Sequence, residues 1–427
     1  MSDRSDRPRV VVLGGGFAGL GAAQKLAKAD ADVVLVDRHD YHTFQPLLYQ
    51  LATGLLEPSA VGHSIRDLVH HDHQDNVTVH KTQVTAIDLE AREVTLEGMA
   101  PLTFDFLVVG LGAEVTFFGT EGAPEHAFPM YTLPDAIRLK EHVLGKWEAA
   151  DKDPGLIEDG ALNIVVVGGG PTGVESAGAI AELYRADFAR DYPAIPQEKA
   201  RVVLVEAGPD VFGMFKPNLR TYAREALENR TVEVVTGARV ASVAPTRVML
   251  KSGEEISAHT LVWGAGLQGN QLVQSLGLEL ERGNRIGVGP DLTVVGHPDV
   301  YAVGDIAAIT DAKTEQVLPQ LGSVALQSGE HVGETIARRI AGKEPKPFKY
   351  RDKGTMAMIG RGAAVVQMLG GKTMKGMKAQ AAWGVVHLAL LPTNEDRAKA
   401  IVDWAGAGLT HQRTGRISYE SEVNTSR

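Results

Sequence analysis

Short β-branched runs, each followed by glycines and then by an alanine-rich segment, recur along the chain and predict its elements. Residues 9–19 read RVVVLGGGFAG and residues 163–173 read NIVVVGGGPTG. After the first, GLGAAQKLAKAD has helical character and DVVLVDRH is a second strand ending on Asp37. Residues 77–99 alternate as paired strands around a turn from Asp88 to Arg92, and TFDFLVVGLGA is a buried strand ending in Gly110 and Gly112. The second stretch repeats this syntax, with a helix from about Thr172 to Tyr184, a strand RVVLVEAG ending on Glu206, strand pairs between 232 and 256, and HTLVWGAGL. DVYAVGDIAA adds a strand stopping at Gly304 and Asp305, a helix spans Ser323 to Ile340, and AGKEPKPF is a linker. Residues 350–427 then read as short strands (TMAMIGRGAAVVQM) and one or two apolar-faced helices. Strands feeding helices in this order predict an α/β fold with one βαβ unit inserted within, or appended to, another.

At 427 residues the chain exceeds what one core organises, and its 44% hydrophobic and 22% charged residues suit a folded globular protein. There is no cysteine, which excludes thiolate, dithiol, Fe–S and cysteine-zinc chemistry as well as disulfides. The segment MSDRSDRPRV lacks the apolar region of a secretory signal, so a cytoplasmic location is expected. No apolar run reaches the roughly 20 residues of a membrane span, the nearest being AAWGVVHLALLP from Ala381 to Pro392. The net charge of −10 is uneven: residues 341–427 carry 14 Lys and Arg against 7 Asp and Glu, so the end of the chain is +7 and the rest −17. No nucleic-acid motif accompanies these dispersed basic residues, and an anionic membrane surface or a solvated basic face fits them better. The 14 histidines, including the His70-His71-Asp72-His73 cluster, show no metal-ligand spacing and are expected to be solvated, so no metal is expected. Met356, Met358, Met368, Met374 and Met377 are expected to be packing residues.

Gly14, Gly16 and Gly19 form G-x-G-x-x-G between a strand and a helix, the pattern in which a pyrophosphate approaches the backbone at a helix N-terminus. Asp37 lies 23 residues after Gly14, where a carboxylate reaches a ribose hydroxyl. Gly168, Gly170 and Gly173 repeat the pattern with Glu206 as the acid. Its spacing of 38 from Gly168 is lengthened by the proline-containing segment from Arg185 to Ala200. A carboxylate at that strand end repels a 2′-phosphate, which favours NADH over NADPH.

With Gly304-Asp305 in YAVGDIA, these two sites resemble the two-dinucleotide-binding flavoproteins, in which that aspartate binds the ribitol of FAD. Within that superfamily the chain is most similar to the type II NADH dehydrogenases (NADH:quinone oxidoreductases), through GGGFAGL at 14–20, FQPLLYQLATGLLEP at 44–58, GGGPTGVESAG at 168–178, LVWGAG at 261–266, DKGTMAMIGRGAAV at 352–365 and AAWGVVHLALL followed by a helix containing Trp404. The missing cysteine removes the dithiol, sulfenic-acid and sulfide-oxidising relatives. The resemblance implies two nested Rossmann-like dinucleotide-binding domains plus a C-terminal region: an FAD-binding domain in residues 1–118 and 285–342, an NADH-binding domain in 119–284, and an acceptor-side and membrane-docking region in 343–427.

The resemblance further implies FAD contacts from Gly14, Gly16, Phe17, Ala18, Gly19, Asp37, Arg38, Val84, Gly110, Gly112, Gly304, Asp305 and Ala325. NADH contacts fall to Gly168, Gly170, Pro171, Thr172, Gly173, Glu206, Gly264, Ala265 and Gly266. Glu175, read as lying in the first turn of its helix, matches the family's catalytic glutamate near the nicotinamide and flavin; the other reading is an acid stabilised by the helix dipole. The run Pro46-Leu47-Leu48-Tyr49-Gln50 resembles the family's segment beside the flavin ring, with core packing as the other reading, and Pro46 and Leu47 are placed on the acceptor side. On the acceptor side, Ser323 replaces the first glutamine of the family's Ala-Gln-x-Ala-x-Gln-Gln-Gly pattern and shortens that contact, whereas Ala325, Gln327 and Gly329 survive. The implied activity is FAD-dependent NADH oxidation, with hydride transfer to flavin N5 and electron transfer to a quinone or another small-molecule acceptor, without proton pumping. A soluble NAD(P)H:acceptor reductase and a non-catalytic NADH-sensing flavoprotein are the alternatives. Trp383, Val385, Val386, Leu388, Leu391, Ile401 and Trp404, beside Lys375, Lys378, Arg397 and Lys399, suit a helix lying in the headgroup plane of a membrane, here its cytoplasmic side; a domain cap or a homodimer face is the other reading.

Overall fold

The computed structural model describes residues 7–70, 76–410, 413 and 415–417; His71, Asp72 and His73 of the histidine cluster lie outside them. Two compact units emerge, one of Met1–Thr43, His63–Val115 and Leu267–Arg351, the other of Phe44–Gly62, Thr116–Gly266 and Asp352–Arg427.

The first unit is built on a six-stranded sheet in the order Thr293–Val294, His297–Ala302, Phe106–Val109, Arg9–Leu13, Asp32–Asp37, Val77–Lys81. Its inner pairs are parallel, with Val10 beside Val33 and Phe106. Val10 to Leu13 are wholly buried, as an unbroken aliphatic run must be when helices cover both faces of a parallel sheet. The helices Phe17–Leu26 and Gly322–Ile340 pack on each other through small residues. Val77–Lys81, expected in a hairpin, instead extends the parallel sheet beyond Asp32–Asp37; the hairpin is Val84–Asp88 with Glu93–Leu96.

The second unit repeats the plan with a five-stranded parallel sheet, in the order Ala127–Pro129, Thr260–Trp263, Ile164–Val167, Val202–Glu206, Val232–Thr236. Val232–Thr236, expected among antiparallel pairs, closes this parallel sheet. The helix Pro171–Glu182 follows the second glycine cluster and continues through a π-helical stretch, Leu183–Phe188. Residues 352–410 fold onto this unit as three antiparallel strands, Thr355–Gly360, Ala363–Gln367 and Thr373–Lys375, and two helices, Met377–Leu390 and Asn394–Thr410.

The compact units are cut differently from the expected segments. The short helix Leu48–Ala52 packs on Leu133–Lys152 and Pro171–Glu182, which draws residues 44–62 into the second unit. The strand Leu267–Gly269 pairs with Ala113–Val115 and returns residues from 267 onward to the first. No helix among the described residues is long and apolar enough to cross a membrane.

Candidate functional site: two glycine cradles and an enclosed acid

In the first cradle each glycine has its own cause. Gly14 has φ +97°, and a methyl there would also sit 2.3 Å from the Gly110 carbonyl. At Gly19 a methyl would lie 1.7 Å from the Gly14 carbonyl, so this glycine sets the approach of helix to strand. Gly16 is different, because its backbone is extended and a Cβ would meet nothing within 4 Å. No packing inside the protein demands a glycine there. It is also the helix N-cap and offers no side chain to the first-turn amides, which leaves them open to an anion. A residue kept bare toward open space is what close approach of a pyrophosphate requires.

Asp37 ends its strand with both oxygens oriented, Oδ2 accepting from the Gly15 amide at 2.5 Å and Oδ1 from the His39 amide at 2.7 Å. His42, expected to be solvated, is buried; its Nδ1 donates to the Gly15 carbonyl at 3.0 Å and its ring meets Phe17 edge-on. Burial pushes its pKa down to about 4, so it stands neutral behind the cradle. A local sequence signal for it is absent, since its partner is 27 residues away. Gly304, at φ +71°, lies against Ala18 and Ala325 and brings Asp305 to the start of the helix Phe17–Leu26. The Asp305 carboxylate has no hydrogen-bond donor among the described residues; burial raises its pKa to about 6, opposed by the charge of Arg285. A carboxylate so enclosed and unpaired suits a ligand rich in hydroxyls. Arg38 is exposed, Val84 is buried, and Gly110 packs behind Gly14.

The second cradle copies the first. Gly168 has φ +111° and backs onto the Gly264 carbonyl, a methyl at Gly173 would lie 1.8 Å from the Gly168 carbonyl, and Gly170 again faces open space. Glu206 accepts from the amides of Gly169 and Gly208, each at 2.5 Å. The long spacing to Glu206 arises because the helix runs on through its π-helical stretch to Asp191 and a 3₁₀ turn, Gln197–Lys199, precedes the strand. Pro171 and Thr172 are half-buried in the first turn, and the Gly264-Ala265-Gly266 loop ends the strand Thr260–Trp263.

Glu175 is the fifth residue of its helix, in the second turn rather than the first, so the dipole reading loses its ground. Its Oε1 accepts from the Met358 amide at 3.0 Å. Desolvation nevertheless raises its pKa to about 8, against that hydrogen bond, and the side chain is a carboxylic acid at neutral pH. It lines a cavity of about 740 Å³ with Tyr49, Gln50, Met358, Trp383, Trp404 and Arg413 among its walls. Trp404 Nε1 donates to Gln50 Oε1 at 2.7 Å, and Gln50 Nε2 donates to the Tyr49 hydroxyl at 2.9 Å. Burial and the nearby Glu175 hold the Tyr49 pKa well above its usual value.

The family described as Pyridine nucleotide-disulphide oxidoreductase matches residues 8–329. The chain is 36% identical to the type II NADH:quinone oxidoreductase NdhA of Mycobacterium tuberculosis, over 98% of this chain and 90% of that protein. The type II NADH:quinone oxidoreductase of Staphylococcus saprophyticus is 32% identical, over 88% of this chain and 92% of its own length. This chain belongs to the type II NADH:quinone oxidoreductases. Its fold is also that of NDH2 from Plasmodium falciparum, solved in complex with NADH, with a TM-score of 0.88 at 20% identity over 96% of this chain and 99% of that one.

As a cysteine-free member of a family whose wider description includes disulphide chemistry, this type II oxidoreductase has no dithiol to use. Its acceptor-side candidates have internal partners. The hydroxyls of Ser323 and Tyr350 are 2.9 Å apart, and the Gln327 amide is clamped to the Arg351 backbone by two bonds of 3.1 Å. Leu47 is fully buried, whereas Pro46 keeps some surface. The C-terminal face differs from its expected composition. Trp383 and Leu391 are buried, and Trp404 is half-buried with its indole on Gln50. The apolar side chains on the outside are Val385, Val386, Leu390, Ile401, Val402 and Leu409. Of the methionines expected to pack, Met368 and Met377 are exposed. His387 is buried beneath Trp383, stacked at 3.9 Å between ring centroids, and burial lowers its pKa to about 4. No cluster of metal-ligating side chains occurs among the described residues.

Proposed function

We propose that the protein oxidises NADH and reduces a quinone with FAD as its resident cofactor, without pumping protons. The observation that carries this reading is the pair of bare glycines, Gly16 and Gly170, each beside an oriented strand-end acid, in a chain of this family. FAD belongs to the first unit, where the first-turn amides receive its pyrophosphate, Asp37 accepts from the ribose and Asp305 from the ribitol. NADH belongs to the second, with Gly170 at the pyrophosphate and Glu206 at the adenosine ribose. When bound, FAD would supply the two-electron carrier, with N5 as its hydride-accepting atom. Glu175 holds a proton at neutral pH and delivers it toward the acceptor, and the wall of Tyr49, Trp383 and Trp404 limits water around it. The face bearing Val385, Ile401 and Val402 rests on the cytoplasmic side of the membrane, with Lys375, Lys378 and Lys399 near anionic headgroups.

Purified protein should be yellow, release about one FAD per chain, and turn over NADH with a soluble quinone. Colourless protein with no flavin in its nucleotide extract, or flavin that NADH does not reduce, overturns the reading. Reduction by NADH without transfer to any quinone points to the soluble reductase with another acceptor.

A further inference from the structure

The pocket beside Glu206 holds more charge than ribose recognition needs. It has a volume of about 230 Å³ and is lined by Gly169, Gly170, Glu206, Asp210 and Arg220 among others. Arg220 comes from the helix Pro217–Glu228, and Asp210 from the loop after the strand Val202–Glu206. The Arg220 guanidinium donates through Nη1 to Asp210 Oδ2 at 3.1 Å. Its Nε–H is enclosed with no acceptor among the described residues. A guanidinium presents five N–H donors in a rigid fork, so one bond leaves it under-satisfied beside a ligand pocket.

Glu206 is the opposite case. Each of its oxygens already takes a backbone amide, one from Gly169 and one from Gly208. It cannot swing aside without giving up both bonds. A phosphate on the 2′ oxygen would therefore meet a fixed carboxylate, and the pocket's formal charge, from Glu206 and Asp210 against Arg220, is −1. Neutralising Glu206 leaves a pocket of zero net charge with an arginine fork whose geometry matches a phosphate.

We propose that Arg220, positioned by Asp210, forms a latent 2′-phosphate site that Glu206 keeps closed. Discrimination between NADH and NADPH is then set by a pair of opposed side chains and not by Glu206 alone. The inference rests on the reading of the second cradle as the NADH site. Arg220 gives the ligand a charge-assisted hydrogen bond only when the glutamate charge is gone, so the two positions are coupled: the effect of changing Arg220 depends on what stands at 206.

Calorimetric titration of the full-length protein with 5′-AMP and with 2′,5′-ADP, which differ only by the 2′-phosphate, tests this without relying on turnover. The ratio of 2′,5′-ADP to 5′-AMP affinity should rise about tenfold or more in Glu206→Gln, the equivalent of one charge-assisted hydrogen bond. It should fall back in Glu206→Gln/Arg220→Gln, and Glu206→Gln/Arg220→Lys should recover part of it. The NADPH to NADH ratio of kcat/KM should follow the same order. Urea unfolding midpoints report that each variant is folded. A gain in Glu206→Gln that persists without Arg220 overturns the proposal. So does a loss on Arg220→Gln that is equal for the two ligands, since the arginine would then contact the phosphate they share. Failure of 5′-AMP to bind even the unaltered protein overturns the dinucleotide reading itself, and the proposal with it.

Discussion

Gly14 and Gly168 adopt φ values of +97° and +111°, Gly19 and Gly173 leave 1.7 and 1.8 Å between an added methyl and a backbone carbonyl, and Asp37 and Glu206 each hold a glycine amide at 2.5 Å. The two copies diverge just beyond the third glycine, at the second residue after it. There the first has Gly21 and the second has Glu175. Gly21 faces the helix Gly322–Ile340, where a Cβ would lie 3.2 Å from the Leu326 carbonyl, and Gly329 and Gly333 press against Ala18 and Ala22. Glu175 faces a strand, which brings the Met358 amide to its carboxyl. A neighbouring helix has its mid-segment amides turned into its own hydrogen bonds and rewards small residues, whereas an edge strand such as Thr355–Gly360 has an amide to lend a side chain. The same backbone device thus carries a helix face of small packing residues in one unit and an enclosed acid in the other.

The comparison breaks most readily at the glycines. Gly19→Val or Gly173→Val forces side-chain atoms into a backbone carbonyl and should cost about 3 kcal/mol or more, enough to lose soluble protein. Gly16→Ala and Gly170→Ala meet open space and should stay within about 1 kcal/mol of the parent in urea unfolding. They should nonetheless weaken nucleotide binding, seen as lower FAD content for position 16 and a higher KM for NADH at position 170. Equal destabilisation at positions 16 and 19 would remove the distinction between a glycine kept for packing and one kept for a ligand.

Glu175 sharpens the contrast, because Gly21 has nothing to titrate. The folded-state pKa of Glu175 is raised from 4.5 to about 8, so between those values the native protein holds a proton that the unfolded chain releases. Its contribution to stability is complete below pH 4.5 and is lost as pH rises through about 8, at up to about 1.4 kcal/mol per pH unit. Glu175→Gln removes that slope and should gain stability relative to the parent between pH 5 and pH 9. Urea midpoints recorded across this range check it. Parallel curves for the two proteins would mean that the acid is not held protonated.

How far all this was legible depends on how local each feature is. The glycines and Asp37 are governed by a strand, a turn and a helix within about thirty residues, and their spacing carries them. Glu206 kept its place although the π-helical stretch and the 3₁₀ turn displaced it in sequence. The inward tryptophans were out of reach, since the Trp404 indole finds Gln50 from 354 residues away. Their apolar periodicity is the same whether they face lipid or a cavity. His42 was hidden for the same reason, and Arg220 because an arginine on an amphipathic helix looks like any solvated charge until its pocket is formed. The excursion of residues 44–62 into the second unit leaves no mark in composition, because its helix has five residues.

The smallest effect on the fold should come from the face that only the second unit carries. Val385 and Val402 are each 68% exposed, and Ile401 and Leu409 lie on the same helical pair. Truncation near Gly370 would also strip Trp383 and Trp404 from the cavity wall, so substitution is the cleaner cut. Val385→Glu/Val402→Glu changes surface positions and should alter stability by no more than about 0.5 kcal/mol per site, with soluble-quinone turnover within about twofold of the parent. Flotation with anionic vesicles should fall sharply, because each change withdraws apolar surface from the headgroup region and adds a like charge. Binding of the parent protein should weaken as salt shortens the Debye length from about 30 Å at 0.01 M to about 8 Å at 0.15 M, screening Lys375, Lys378 and Lys399. Vesicle binding indifferent to both salt and the two glutamates would assign this face to a partner chain or to solvent, and the second helix would then owe its distinct covering to the enclosed acid alone.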